Sequence, residues 1–149
     1  MKTLQFKHLA PYLPYGLKGC RVDGGRQIFE LTRVGKGNIY IWSPIEFGDS
    51  IQDSCNLKYI KPLLRPLSDL TKPITVEGYN DGKEFVPMDE LYKLSDYTEY
   101  LDRIQEDAYE MNIPVRWPYA VVELLFQWHF DVFGLIDDEL AVDINTIKK

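Results

Sequence analysis

From Trp117 to Phe133 nearly every side chain is apolar, and no other stretch restricts the fold so tightly. At about 100° per residue the run leaves one narrow polar stripe, formed by Arg116, Ala120, Glu123, Gln127 and Asp131. Such a segment has little surface to give to water, which predicts a central, mostly buried helix. It does not read as a membrane span. Glu123, Gln127, His129 and Asp131 interrupt it, and a charge at bilayer depth costs about 2.5 kcal/mol or more. Gly134 is expected to end the helix as a left-handed C′ residue.

A second, amphipathic helix is expected just before it. Ser95 suits the N-cap, and Tyr97, Tyr100, Leu101, Ile104, Ala108 and Met111 recur at helical spacing until Asn112 and Pro114 stop the pattern. The other face of this helix carries Glu99, Asp102, Glu106 and Glu110. A shorter helix is expected over residues 87–94.

The first third reads as β structure. A helical turn at residues 4–9 meets Pro11 and Pro14, and a strand over 17–22 turns at Asp23-Gly24-Gly25 into a return strand over 26–34. Gly35-Lys36-Gly37 then leads into a strand over 38–42, where Ile39 and Ile41 share a face. A polar loop containing Asp53 follows, and residues 56–61 supply a fourth strand through Leu57 and Tyr59. Pro62, Pro66 and Pro73 punctuate the middle and permit only a short turn at 68–70. Residues 74–76 and 84–86 flank Tyr79-Asn80-Asp81-Gly82 as a second hairpin, and a last strand is expected over 140–144. The expectation is one α+β domain: an N-terminal antiparallel sheet of about four to six short strands packed on a C-terminal pair of α-helices, one central and mostly buried. It is β-rich over 1–86 and helical over 87–136.

With 149 residues, 45% of them hydrophobic, the chain can bury a core without staples. Cys20 and Cys55 lack zinc-like spacing and read as reduced thiols; together with a start that has no apolar signal segment, they point to the cytoplasm. Residues 1–36 hold seven bases against two acids, a net +5, which leaves −11 for the rest of a chain whose total is −6. That balance argues against wrapping a polyanion with the whole surface.

Catalytic constellations are thin. His129 falls opposite the polar stripe and reads first as a buried, hydrogen-bonded core histidine. An enzyme built around it with Glu123, Gln127 and Asp131 is the remoter alternative. His8 with either cysteine is the one drawable thiolate pair, and it lacks a third orienting group. Asp102 and Glu106 lie one turn apart, but neither histidine has the glutamate three positions before it that a di-metal bundle needs. Lys36 is followed by a glycine and a strand, so no Walker loop is present. No cofactor and no metal is expected.

Four segments carry a resemblance: Leu9-Ala10-Pro11-Tyr12-Leu13-Pro14-Tyr15-Gly16-Leu17-Lys18; Lys61-Pro62-Leu63-Leu64-Arg65-Pro66-Leu67-Ser68-Asp69-Leu70-Thr71; Glu84-Phe85-Val86-Pro87; and Trp128 to Ile136 running on to Asp143-Ile144-Asn145-Thr146. Together they resemble an uncharacterised family of small proteins of Bacteroidetes bacteriophages and prophages. The resemblance implies a mobile-element product made inside a bacterial host, and it brings no catalytic residue or cofactor with it. The leading expectation is therefore a non-catalytic accessory protein that binds a host or phage protein. The opposed charges of the two ends are its sequence basis, with Glu99, Asp102, Glu106 and Glu110 offering a face to a basic partner. The alternative is a nucleic-acid-associated factor that uses Lys18, Arg21, Arg26, Arg33, Tyr40 and Trp42, since a small sheet bearing aromatics and arginines can stack bases.

Overall fold

The computed structural model describes residues 3–22, 28–35, 38–42, 52–93 and 119–147. The chain is a mixed α and β fold and divides into two compact units, residues 1–64 with 135–149, and residues 65–134.

The first unit holds the sheet. Helix α1 (Phe6–Leu9) runs into a 3-10 helix, Ala10–Tyr15, that absorbs Pro11 and Pro14 and stops at Gly16. Gly16 has φ +69°, a left-handed conformation that glycine adopts without steric cost. Strands β1 (Lys18–Arg21), β2 (Ile28–Gly35), β3 (Asn38–Trp42), β4 (Gln52–Asn56), β5 (Ile60–Leu64) and β6 (Val142–Asp143) follow. They form one sheet in the order β4-β3-β2-β1-β5-β6. All neighbours are antiparallel except β5 and β6, which are parallel, so the expected wholly antiparallel sheet is corrected at its last strand. Leu9, Tyr12, Leu17, Phe29, Leu31, Ile60 and Leu64 are buried in this unit. Gly19 lets β1 and β5 approach closely: a Cβ would sit 3.2 Å from the Lys61 carbonyl oxygen and against the Leu31 methyls.

The β1–β3 meander lies where the alternation of apolar residues places it, with a register shift between Leu31 and Arg33. The next step is a correction. The fourth strand is 52–56, which was expected to be loop, and the expected strand over 56–61 is split by a 3-10 turn at Leu57–Tyr59. Its cause is local: the Asn56 side chain accepts a hydrogen bond from the Lys58 N–H at 3.1 Å, closing a turn where a continuous strand would need an extended backbone.

The second unit is built on Leu70, Ile74, Val76, Phe85, Met88, Leu91, Val121, Leu125, Trp128, Phe130 and Val132. Its elements are a 3-10 helix at Leu67–Thr71, a 3-10 turn at Asn80–Gly82, helix α2 (Pro87–Tyr92) and helix α3 (Tyr119–Gln127). The expected second hairpin is reduced to a single antiparallel bridge, Ile74 with Phe85, closed by two backbone hydrogen bonds of 2.8 and 2.9 Å. Tyr79, Phe85 and Trp128 pack as an aromatic trio with ring centroids 4.8–5.4 Å apart. The amphipathic helix expected from Ser95 to Met111 lies outside the described residues.

The central helix is shorter than its apolar run. It ends at Gln127, not Phe133, and within it Val121 and Leu125 are the fully buried positions. Its end is a Schellman motif with His129 at C′: His129 has φ +60°, its N–H donates to the Phe126 carbonyl at 3.0 Å, and the Phe130 N–H donates to the Leu125 carbonyl at 2.9 Å. The left-handed residue turns the chain out of the helix, so Trp128 and Phe130 are buried without a helical stripe. Gly134 does have φ +70°, but it lies seven residues past the helix end and does not cap it.

Arg65 fixes the direction taken after that turn. Its N–H donates to the His129 carbonyl at 2.7 Å and its carbonyl accepts from the Asp131 N–H at 2.8 Å. Its guanidinium donates through Nε to the Trp128 carbonyl at 3.1 Å and through Nη2 to the Thr75 carbonyl at 2.8 Å. Burial disfavours the charge of this group, and the nearby Asp69 carboxylate opposes that effect.

Two predictions follow from this geometry. Arg65→Met keeps the backbone pair but leaves two carbonyls without their charged donor, so urea denaturation should show a loss of about 2 kcal/mol. Arg65→Lys should recover little of it, because a point ammonium cannot span both acceptors. His129→Gly should match or exceed the parent urea midpoint, whereas His129→Val should lose at least about 1 kcal/mol, because a β-branched side chain fits the left-handed conformation poorly.

Candidate interaction surface

The basic candidates cluster by topology. β1, β2 and β3 are neighbours in the sheet, and they carry Lys18 and Arg21, Arg33, and Tyr40 and Trp42 respectively. The register opposes Arg33 to Tyr40, Trp42 to Glu30, and Glu30 in turn to Lys18. Positions so opposed share a sheet face. Arg21 is opposed to Ile60 instead, one register step from the Cys20–Lys61 pair. Lys18 is exposed and Arg21 half-buried. Arg26 lies outside the described residues, as do Glu99, Asp102, Glu106 and Glu110.

The turn after β4 adds what periodicity alone concealed. Leu57 anchors the 3-10 turn in the core. Lys58 and Tyr59 stand outside it, and the Lys58 ammonium lies 4.9 Å from the centre of the Tyr59 ring. Tyr59, expected to face inward along a strand, is 39% exposed, and Val22 at the end of β1 is 57% exposed. The two are joined: the Val22 N–H donates to the Tyr59 carbonyl at 2.8 Å. An exposed aliphatic residue, an exposed aromatic and the cations Arg21, Lys58 and Lys61 thus occupy the ends of two adjacent strands. The sequence signal that marks this turn is Asn56 placed two residues before Lys58.

The expected enzyme constellation does not assemble along one helix face. Glu123 is exposed on α3, His129 is half-buried beyond its end, and Asp131 is buried at 5% exposure with its N–H on Arg65. His129 is therefore corrected from a core position within the helix to the residue that terminates it. The cysteine route is weakened by chemistry: burial pushes the Cys20 thiol up, against the pull of Lys61, and so favours the thiol over the nucleophilic thiolate. Cys55 lies on β4, opposite Ile39. Among the described residues no three acidic, histidine or cysteine side chains group to hold a metal, and no helix is long and apolar enough to cross a membrane.

His8 has a structural task. Its Nδ1 accepts the Gln5 backbone N–H at 3.0 Å while the His8 backbone N–H donates to the Gln5 carbonyl at 3.0 Å, closing the start of α1 reciprocally. Partial burial, followed by the Lys7 charge, lowers its pKa below the usual 6.5, and Asp138 opposes both.

No family model, no curated protein and no solved structure matches the chain.

The lowered His8 pKa yields a prediction with a definite sign. The folded state binds fewer protons than the unfolded one, so the contribution of His8 is complete above pH 6.5 and is lost as the pH falls through the folded value. Thermal denaturation from pH 7.5 down to 5.0 should show a smaller fall in midpoint for His8→Gln than for the parent, and equal falls would exclude the effect.

Proposed function

We propose that this chain is a non-catalytic accessory protein of phage or prophage type, acting in the cytoplasm of a bacterial host by binding another protein. The observation that carries this reading is the joined pair of Val22 and Tyr59, exposed at the ends of hydrogen-bonded strands and flanked by cations. Exposed apolar side chains on regular backbone are already held in place, so docking orders little that was loose, and tyrosine and arginine are the residue types that concentrate binding energy in interfaces. Cys20, held as a thiol, and His8, engaged in closing α1, agree with a role that does not depend on covalent chemistry.

A second reading has its own observation, the opposition of Arg33 to Tyr40 across β2 and β3. A basic residue paired with an aromatic on a sheet is an arrangement on which single-stranded nucleic acid can stack, and such binding weakens steeply as salt rises.

Affinity capture of the tagged protein from host cells carrying the element separates the two. The first reading expects one protein recovered at comparable molar amount and unaffected by nuclease. Recovery of nucleic acid that disappears with nuclease transfers the case to the second, and recovery of neither overturns both.

A further inference from the structure

We infer that the Lys58–Tyr59 end of the sheet is the docking site for an acidic segment of a partner protein, one that carries an aliphatic side chain beside its carboxylates. This deepens the protein-binding reading and rests on it.

The charge argument is local. Over 17–22, 28–31 and 56–62 the cations are Lys18, Arg21, Lys58 and Lys61, and the one acid is Glu30, opposed to Lys18 at the other end of β1. Lys61 is opposed to Cys20 and Arg21 to Ile60 on the β1–β5 pair, and Lys58 lies two residues before Ile60 in the turn that leads into β5. Successive strand positions face opposite ways, so Arg21 and Lys61 lie on opposite faces of the β1–β5 pair, and a short extended segment docking at this end meets Lys58 at the turn, beside the exposed Val22 and Tyr59.

The geometry selects a carboxylate-bearing peptide over a nucleic acid. The Lys58 ammonium covers a face of the Tyr59 ring at 4.9 Å. That face is closed to a stacking base. The turn beneath that ammonium is closed by the Lys58 backbone N–H on Asn56 Oδ1, so the backbone that presents the cation to a carboxylate is already fixed. Val22 is aliphatic and more than half exposed, and it supplies a site for an apolar side chain where a nucleotide would find no ring to stack on.

The test uses the full chain and two probes of similar length: a fluorescein-labelled 12-residue peptide of alternating Glu and Leu, and a labelled 12-nucleotide oligothymidylate. In fluorescence anisotropy at low salt the peptide should bind more tightly than the oligonucleotide. The double variant Lys58→Glu, Tyr59→Ala should weaken peptide binding at least tenfold, while Lys83→Glu, the same charge change at an exposed site in the other unit, should alter it by less than about twofold. Backbone amide shifts should move at 20–22 and 57–61 on adding peptide, which locates the contact without any substitution. Tighter binding of the oligonucleotide, absence of peptide binding, or equal binding by the double variant would overturn the inference. The two levels stay separable: if a host or phage protein is captured equally by parent and double variant, this docking site falls while the protein-binding reading stands.

Discussion

Arg65 is the residue on which the second unit depends, because it settles where the chain goes after its most apolar stretch. A helix that continued to Phe133 would put Trp128 and Val132, four residues apart, on one face and Phe130 on the opposite one. By ending at Gln127 and reversing through a left-handed His129, the chain brings all three into one core. The reversal leaves carbonyls at Trp128 and His129 beyond the helical ladder, and Arg65 takes both, one through its guanidinium and one through its backbone. A buried carbonyl without a donor costs about 1–3 kcal/mol; the backbone N–H at position 65 meets the His129 carbonyl whatever the side chain, and the guanidinium is what meets the Trp128 carbonyl. The solution is incomplete in one respect: among the described residues, the indole N–H of Trp128 is buried with no acceptor. The three-ring packing with Tyr79 and Phe85 is evidently worth enough to hold it there.

That same arrangement marks the boundary of what local pattern can reveal. The β2–β3 pair was legible because Ile39 and Ile41 alternate and the Gly35–Gly37 break precedes them, both properties of neighbouring residues. The end of the central helix was not, since the partner that fixes it lies more than sixty positions away in the chain. Periodicity records which residues are apolar; it does not record which of them abandons the helix. The β4–β5 region failed for a different reason. Leu57 and Tyr59 fit a strand by alternation, and the Asn56 side chain, accepting the Lys58 N–H, turns the backbone there. Of the two residues expected inward over 56–61, Leu57 is in the core while Tyr59 went outward, and Ile60 takes the buried place instead.

The candidate surface divides along the same line. Lys18, Arg33, Tyr40 and Trp42 fall on three adjacent strands, as a meander requires, so their clustering could be read before any coordinates. Val22, Lys58 and Tyr59 became a site only when β1 was paired with β5, a strand some forty residues later. Strand pairing across such a distance is a choice of topology, and nothing in either segment alone announces it. The acidic face expected near Glu99 to Glu110 lies outside the described residues, so the basic end is the one whose construction can be argued.

A net charge of −6 is no objection to an acidic partner. At physiological ionic strength the field of an exposed charge fades over about 8 Å, so an approaching segment responds to the charges it touches and not to the sum over the chain. What matters is that the cations at this end stand on hydrogen-bonded strands and a capped turn, where the backbone that carries them is ordered before the partner arrives. The overall negative charge then has a separate consequence, since it repels long polyanions while leaving the local basic site open to a short acidic segment. Discrimination between a carboxylate-rich peptide and a nucleic acid would thus come from the contrast between one small basic patch and a chain whose net charge is −6.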